Sequence, residues 1–222
     1  MSEFDFGVIL RALPFLWMGM QLTLLLTALA MAGGIVLGTA LAMARLWAPP
    51  PFPQLAASYV NLLRSMPLIL VVFWFYFLVP LAVGRAVGAL PSALIAFTMF
   101  EAAYYSEIIR TGIQGVARGQ LAAAQATGLT YLMAMRYVVL PQAFRAMVPI
   151  LLTQSIILFQ DTSLVYVVGL HDFLTAATVV AGRDNRVVEL YSFVAIVYLA
   201  LCVTASFGVR RLQSRFANDY AK

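Results

Sequence analysis

The chain has 222 residues, of which 63% are hydrophobic and 10% are charged, and its formal net charge is +5. Soluble domains carry about 45–50% apolar and about 25% charged residues, so this composition excludes an ordinary soluble protein and predicts a membrane protein. The positive charge does not indicate a nucleic-acid partner, because the basic residues lie mostly between apolar segments and do not cluster with aromatic residues.

Five apolar segments, each long enough to cross a bilayer, follow one another along the chain. We predict spans at about residues 15–46, 55–83, 89–111, 132–159 and 187–209, with a proline-rich stretch at 49–53 separating the first two. The fold class is therefore predicted to be an all-α membrane protein with about five transmembrane helices, forming a single domain over residues 1–222.

The first predicted span carries small residues four positions apart, at Ala30, Gly34, Gly38 and Ala42. In lipid, small residues that let two backbones approach closely become helix-association surfaces. This face is expected either to pack against another span of the same chain or to contact another subunit.

Charged residues interrupt the second and third predicted spans at Arg64, Glu101 and Glu107. A charge deep in a span costs about 2.5–3.5 kcal/mol on insertion scales and is tolerated where it faces protein or water, which favours a transporter over an inert anchor. Glu101 and Glu107 lie on nearly opposite helix faces and do not form a carboxylate pair. Glu107 and Arg110, in contrast, are spaced to pair along one helix.

The basic residues that flank the predicted spans set the orientation. One side holds seven of these residues and the other holds four, besides the acidic Glu3 and Asp5. The first set is Arg45, Arg118, Arg136, Arg210, Arg211, Arg215 and Lys222, and the second is Arg11, Arg85, Arg183 and Arg186. We therefore expect the N-terminus outside and the C-terminus in the cytoplasm.

The polar segment at residues 114–130 is too polar to span, but its centre favours a short helix. We expect this helix to begin after Gly119, to include Leu121–Ala126, and to stop before Gly128, which is a natural C-terminal signal. From composition alone, an ordinary amphipathic loop is an equally good interpretation.

The same segment resembles the EAA loop of ABC-importer permeases of the polar amino-acid (HisMQ-like) branch. That branch reads roughly G-Q-x-E-A-A-x-A-x-G followed by L-P-Q-A, and the matching residues are Gly119, Gln120, Ala122, Ala123, Ala124, Gly128, Leu140, Pro141, Gln142 and Ala143. Further blocks at 59–67, 107–113 and 160–164 resemble the branch, and the stretches at 97–107, 142–149 and 158–166 are similar to glutamate/aspartate importer permeases.

The resemblance implies a type I importer permease in the inner membrane of a bacterial cell, with residues 114–131 as a coupling loop. It also implies two cytoplasmic ATPase subunits, a second permease and an external substrate-binding protein as partners. The main alternative is a secondary transporter or channel that works without an ATPase.

One residue departs from the family pattern. Ala122 occupies the position of the family's glutamate, so a charged contact to the ATPase is missing. We hypothesise that the second permease is a different polypeptide that retains the acidic residue.

The candidate pathway residues are Arg64, Thr98, Tyr104, Gln154 and Asp161. An acidic substrate needs a cation, which Arg64 supplies, although an arginine that snorkels to the interface explains it equally well. Gln154 is expected to line the pathway or to make an interhelical hydrogen bond. Asp161 is expected to cap a short helix at 164–168 or to line a gate.

The sequence contains no G-x-x-x-x-G-K-[ST] phosphate loop and no nucleophile–base arrangement. Cys202 and His171 have no companion ligands for a metal. We therefore expect no enzyme activity, metal or cofactor in this chain, with ATP bound by partner subunits.

Overall fold

The computed structural model describes residues 4–85 and 87–218, so Glu3 and Lys222 lie outside the described residues. Within these ranges the chain is helical, with turns and no strand. The helices are α1 (Phe6–Trp47), α2 (Phe52–Arg64), α3 (Leu68–Val83), α4 (Ala89–Gln114), α5 (Arg118–Ala126), α6 (Tyr131–Val168), α7 (Phe173–Asp184) and α8 (Val187–Asn218).

The small residues of α1 pack against α4, and the two helices run in the same direction. A Cβ atom added at Gly34 would lie 3.1 Å from the ring of Tyr105, and one at Gly38 would lie 2.9 Å from the carbonyl oxygen of Ala102. Ala30 and Ala42 are fully buried. The prediction of packing within the chain is therefore confirmed, and the association surface of α1 is occupied by α4.

The prediction of one continuous second span at 55–83 is wrong. The chain bends by 107° between α2 and α3, at residues 65–67. Pro67 has no backbone N–H and disfavours helical geometry at the residue before it, so the helix stops after Arg64 and restarts at Leu68.

Two of the long helices contain a π-helical turn just before a proline. In α3 the turn is Trp74–Leu78 and precedes Pro80, and in α6 it is Met135–Val139 and precedes Pro141. A proline inside a helix lacks one N–H donor and clashes with the preceding turn, and the extra residue of a π-turn absorbs this misfit. Both helices thus continue past the proline.

Length and apolarity identify three membrane-spanning helices in the described chain, α1, α6 and α8, and a fourth if α2 and α3 form one broken span. The predicted third span corresponds to α4, which carries Glu101, Glu107 and Arg110 and is not among the helices that length and apolarity identify. This helix packs against α1, α2 and α6, so its polar side chains face protein.

Helix α7 was not predicted. It packs between α1 and α8, and Asp172 caps it by accepting hydrogen bonds from the backbone N–H groups of Leu174 (3.0 Å) and Thr175 (3.1 Å). Gly19 makes room for this turn, since a Cβ there would lie 2.6 Å from the carbonyl oxygen of Asp172.

The two ends of the bundle differ in charge. Ion pairs dominate the end that holds the start of α1, where Arg11 pairs with Asp5 at 3.4 Å and Arg183 pairs with Asp184 at 2.7 Å. Hydrogen bonding to Arg183 holds the pKa of the Asp184 carboxyl below its ordinary value. The opposite end, here named the basic end, carries Arg45, Arg64, Arg110, Arg118, Arg136, Arg145, Arg210, Arg211 and Arg215, with Glu107 as its acidic residue among those described.

The close approach of α1 and α4 predicts different outcomes for two glycine-to-alanine changes. Gly38→Ala should lower stability by about 1–3 kcal/mol, because the new methyl group meets backbone atoms that cannot move aside. Gly182→Ala in α7 meets no atom within 4 Å and should leave stability unchanged or slightly raised. Thermal unfolding in detergent measures both, and equal midpoints for the two variants would contradict the packing described here.

Candidate functional site

Helix α5 is a short, separate helix at the basic end. It begins at Arg118, one residue before Gly119, so the prediction that Gly119 precedes the helix is wrong. Its end is as predicted: Gly128 has a φ of +90°, in the left-handed region that glycine adopts without strain. The N–H of Leu129 then donates to the carbonyl of Ala124 at 3.3 Å, which closes the helix terminus.

One face of α5 consists of small residues that point away from the rest of the chain. Gly119, Ala122, Ala123 and Ala126 are all exposed, and they follow the i, i+3, i+4, i+7 spacing of one helix face. The opposite face seats the helix, because Ala124 is buried and Leu121 packs against the cluster that contains Ile109 and Ile113. A partner can therefore approach the outer face of α5 closely.

Helix α5 is also tied to the base of α6. The side-chain amide of Gln142 donates to Gln120 at 3.3 Å, and the exposed Leu140 and Pro141 lie beside it on α6. The residues predicted for the coupling loop thus lie at one end of the bundle. Ala124 differs from the other residues of α5 in this set, because its side chain is buried against the bundle.

Glu107 joins three helices at the basic end. Its carboxylate accepts a hydrogen bond from Arg45 of α1 at 2.6 Å and is paired with Arg110 on its own helix. Arg64, at the end of α2, lies 4.0 Å away. The predicted pairing of Glu107 with Arg110 is confirmed, whereas the contact with Arg45 was missed because the two residues are 62 positions apart in the sequence.

Arg64 and Tyr104, both predicted pathway residues, lie together. The guanidinium of Arg64 sits 5.3 Å from the centre of the Tyr104 ring, and its side chain is 39% exposed. This position, beside the break between α2 and α3, is compatible with either interpretation of Arg64, so its pathway role stays a prediction.

Gln154 and Glu101 form a polar contact inside the bundle. Glu101 has no exposed surface, and Oε1 of its carboxylate accepts a hydrogen bond from Nε2 of Gln154 at 3.2 Å. The other carboxylate oxygen has no hydrogen-bond partner among the described residues. Beside this contact, the hydroxyls of Tyr105 and Ser155 lie 3.1 Å apart. The interhelical hydrogen bond expected of Gln154 is therefore present.

The remaining pathway candidates lie in different surroundings. The prediction that Asp161 caps a helix is wrong, because Asp161 is helical, makes no cap, and is followed directly by the 3₁₀ turn Thr162–Val168. It is close enough to Glu101 for an electrostatic interaction. Thr98 packs against α1, where a Cβ at Gly33 would lie 2.8 Å from its methyl group. The pathway roles of both residues stay predictions.

A family model for the binding-protein-dependent transport system inner membrane component matches residues 34–218. The chain is 48% identical to the glutamate/aspartate import permease protein GltK of Escherichia coli O6:H1, over 98% of this chain and 100% of that protein. It is 37% identical to the probable glutamine ABC transporter permease protein GlnM of Bacillus subtilis, over 91% of this chain and 93% of that protein.

Solved structures have a similar fold. One chain of the crystal structure of an amino acid ABC transporter with histidines matches with a TM-score of 0.90 and 31% identity, over 97% of this chain and 100% of that chain. The MetNI methionine ABC transporter, in an inward-facing form, matches in fold with a TM-score of 0.74 and 21% identity, over 97% of this chain and 99% of that one.

A double-mutant cycle tests the contact between Glu101 and Gln154. Gln154→Leu should lower the free energy of unfolding by about 1–3 kcal/mol, because it leaves a buried carboxylate without its donor. In a Glu101→Leu background the same change should cost much less. Unfolding in detergent micelles titrated with sodium dodecyl sulfate measures both values.

Gln160→Leu is the matched control, since Gln160 is an exposed glutamine of the same helix. Its effect should be the same with and without Glu101. If Gln154→Leu also cost the same in both backgrounds, the hydrogen bond would contribute nothing to stability.

Proposed function

Because the chain belongs to the family of binding-protein-dependent transport system inner membrane components, we propose that it is the permease subunit of an ATP-driven amino-acid importer that carries glutamate and aspartate. The observation that carries the substrate proposal is the 48% identity to a glutamate/aspartate import permease over 98% of this chain. Two relatives named for glutamine transport are less similar, at 37% and 32% identity.

The proposed complex contains two cytoplasmic ATPase subunits, a second permease and an external substrate-binding protein. The small outer face of α5 docks into the ATPase, since a partner can approach Gly119, Ala122, Ala123 and Ala126 without meeting a large side chain. Because α5 is seated on α4 and bonded to α6, movement of the ATPase is transmitted to the spans, which switch between two packings.

The basic end is placed in the cytoplasm. Its nine arginines against one described acidic residue fit the charge bias of cytoplasmic loops. The start of α1 then lies outside and the C-terminus inside, in a bacterial inner membrane. In this orientation α5 faces the compartment that contains ATP.

The substrate pathway is proposed to follow the polar residues of α2, α4 and α6. Arg64 and Tyr104 lie near the cytoplasmic mouth, and Gln154 and Asp161 lie deeper in the bundle with Glu101. Thr98 would contribute only its hydroxyl from the side of α1. An acidic substrate passing Arg64 would meet a cation held in place by Glu107 and Tyr104.

The second permease is proposed to be a different polypeptide. Ala122 is exposed at the position where the EAA loop of this branch has glutamate, so this chain offers the ATPase no carboxylate there. A partner permease with an acidic residue at that position would supply the charged contact once per complex.

Uptake by the intact complex tests the function. The complex is purified from its native host through a tag on this chain and reconstituted into vesicles with its binding protein. We expect labelled glutamate and aspartate to accumulate only with ATP on the ATPase side, because the ATPase subunits drive transport in the proposed complex. This chain contains no G-x-x-x-x-G-K-[ST] phosphate loop that would bind the nucleotide. Mass spectrometry of the same preparation should identify two different permeases.

A non-hydrolysable ATP analogue is the control and should abolish accumulation. Uptake by vesicles that contain this chain alone would instead support an ATP-independent secondary transporter. A preparation with only this permease, in two copies, would contradict the asymmetric pair and leave the importer proposal intact.

A further inference from the structure

A row of exposed polar side chains, here named the polar stripe, runs along α2. Its members are Gln54, Ser58, Asn61 and Ser65, the last of which directly follows the helix. Their i, i+4, i+7, i+11 spacing places them on one side of a helix. The buried residues of α2, Ala56, Val60 and Leu63, lie on the opposite side. The polar stripe therefore points away from the rest of this chain.

The polar stripe lies at membrane depth. Helices α2 and α3 together are long and apolar enough to form one broken span. The hydroxyl of Tyr59 donates to the carbonyl oxygen of Met99 at 2.8 Å, near the middle of α4. Val60 belongs to the same hydrophobic cluster as Leu26, which lies in the middle of α1. Asn61, which directly follows Val60, is thus within the depth of the hydrocarbon core.

The side chains of the polar stripe have few partners on their own chain. The hydroxyl of Ser65 donates to the carbonyl oxygen of Asn61 at 2.7 Å. The side chains of Gln54, Ser58 and Asn61 have no hydrogen-bond partner among residues 4–85 and 87–218. A polar group without a partner is costly in lipid, so such side chains face protein or a water-filled cavity. The polar stripe therefore requires a cover that this part of the chain does not supply.

The neighbouring side chains favour protein over water as this cover. Phe52, Leu55 and Leu62 are 57–62% exposed and border the polar stripe. A packed helix buries such apolar surface, whereas a water-filled cavity would wet it. Hydroxyl and amide side chains also suit a helix contact in a membrane, since small residues permit close approach and amides bond across the contact. The polar stripe is about 16 Å long, which is about three turns of an opposing helix.

We propose that the polar stripe packs against a helix of the second permease. This inference rests on the proposed function, which supplies that second permease. The opposing helix carries amide or hydroxyl side chains, because Gln54 and Asn61 each offer both donors and acceptors. The contact ends beside the break between α2 and α3, so it joins the two permeases next to Arg64.

Photo-cross-linking in the purified complex tests this contact. A diazirine-bearing amino acid is placed at position 61 or, as a matched control, at position 29, because Leu29 is apolar and 47% exposed in the middle of α1. We expect an adduct with the second permease from position 61 and only lipid adducts from position 29. Lipid adducts alone from position 61, or equal adducts with the second permease from both positions, would overturn the proposal.

Thiol labelling distinguishes a protein contact from a water-filled cavity. In a Cys202→Ser background, Asn61→Cys should react much more slowly with a water-soluble maleimide in the complex than Val188→Cys, which is exposed at the opposite end of the bundle. Equal labelling rates at the two positions would show that water covers the polar stripe and would overturn the contact with the second permease.

Subunit exchange between labelled and unlabelled complexes in detergent measures the strength of the contact. Asn61→Leu should weaken the association of the two permeases at least about threefold, which is the average effect of one interhelical polar contact in a membrane protein. Leu29→Ala should leave the association unchanged. Unchanged association for Asn61→Leu would contradict the proposal.

These measurements do not depend on transport. A purified complex without a second permease would contradict the proposed function, whereas a complex that contains one but gives no adduct from position 61 would contradict this contact alone.

Discussion

The backbones of α1 and α4 approach each other so closely that no side chain fits between them at Gly34 and Gly38. In lipid the hydrophobic effect does not hold helices together, so close packing at small residues takes over this role. In the middle of α4, Glu101 and Tyr105 are fully buried. Oε1 of Glu101 and the hydroxyl of Tyr105 have partners on α6, at Gln154 and Ser155, whereas Oε2 of Glu101 has none among the described residues.

This arrangement links the ends of the bundle mechanically. Helix α6 contacts α4 through Glu101 in its interior and carries α5 at its base through Gln142. Helix α4 also carries Glu107, which binds Arg45 of α1 and lies near Arg64 of α2. In the proposed mechanism, a displacement of α5 would reach α6 directly through Gln142 and would reach α1 and α2 through α4, because packed helices move as rigid bodies more readily than they deform.

The features that the sequence predicted correctly are those that depend on residue type and on spacing within one helix. The small residues of α1, the left-handed Gly128 and the pair Glu107–Arg110 all follow from local spacing, and the structure confirms them. The contacts of Glu107 with Arg45 and of Glu101 with Gln154 join residues more than 50 positions apart, which no local pattern reveals.

The elements that were missed had weak apolar signals. Helix α7 has only 12 residues, which is too short for a predicted span, and it lies between the fourth and fifth predicted spans. Pro67 is present in the sequence as a helix breaker, but the stretch on either side of it is apolar enough to suggest one continuous span. The sequence therefore did not predict the bend. Helix α7 packs against α1 and α8, and α3 packs against α4, so tertiary packing supplies in both places what the local sequence lacks.

The central claim is that the small outer face of α5 meets the ATPase, and site-directed cross-linking tests it most directly. In a Cys202→Ser background, Ala123→Cys on α5 is compared with Val188→Cys, which is exposed at the opposite end of the bundle. With a short thiol-to-amine cross-linker in the intact complex, we expect an adduct to the ATPase from position 123 and none from position 188. An ATPase adduct from position 188, or none from position 123, would contradict the account.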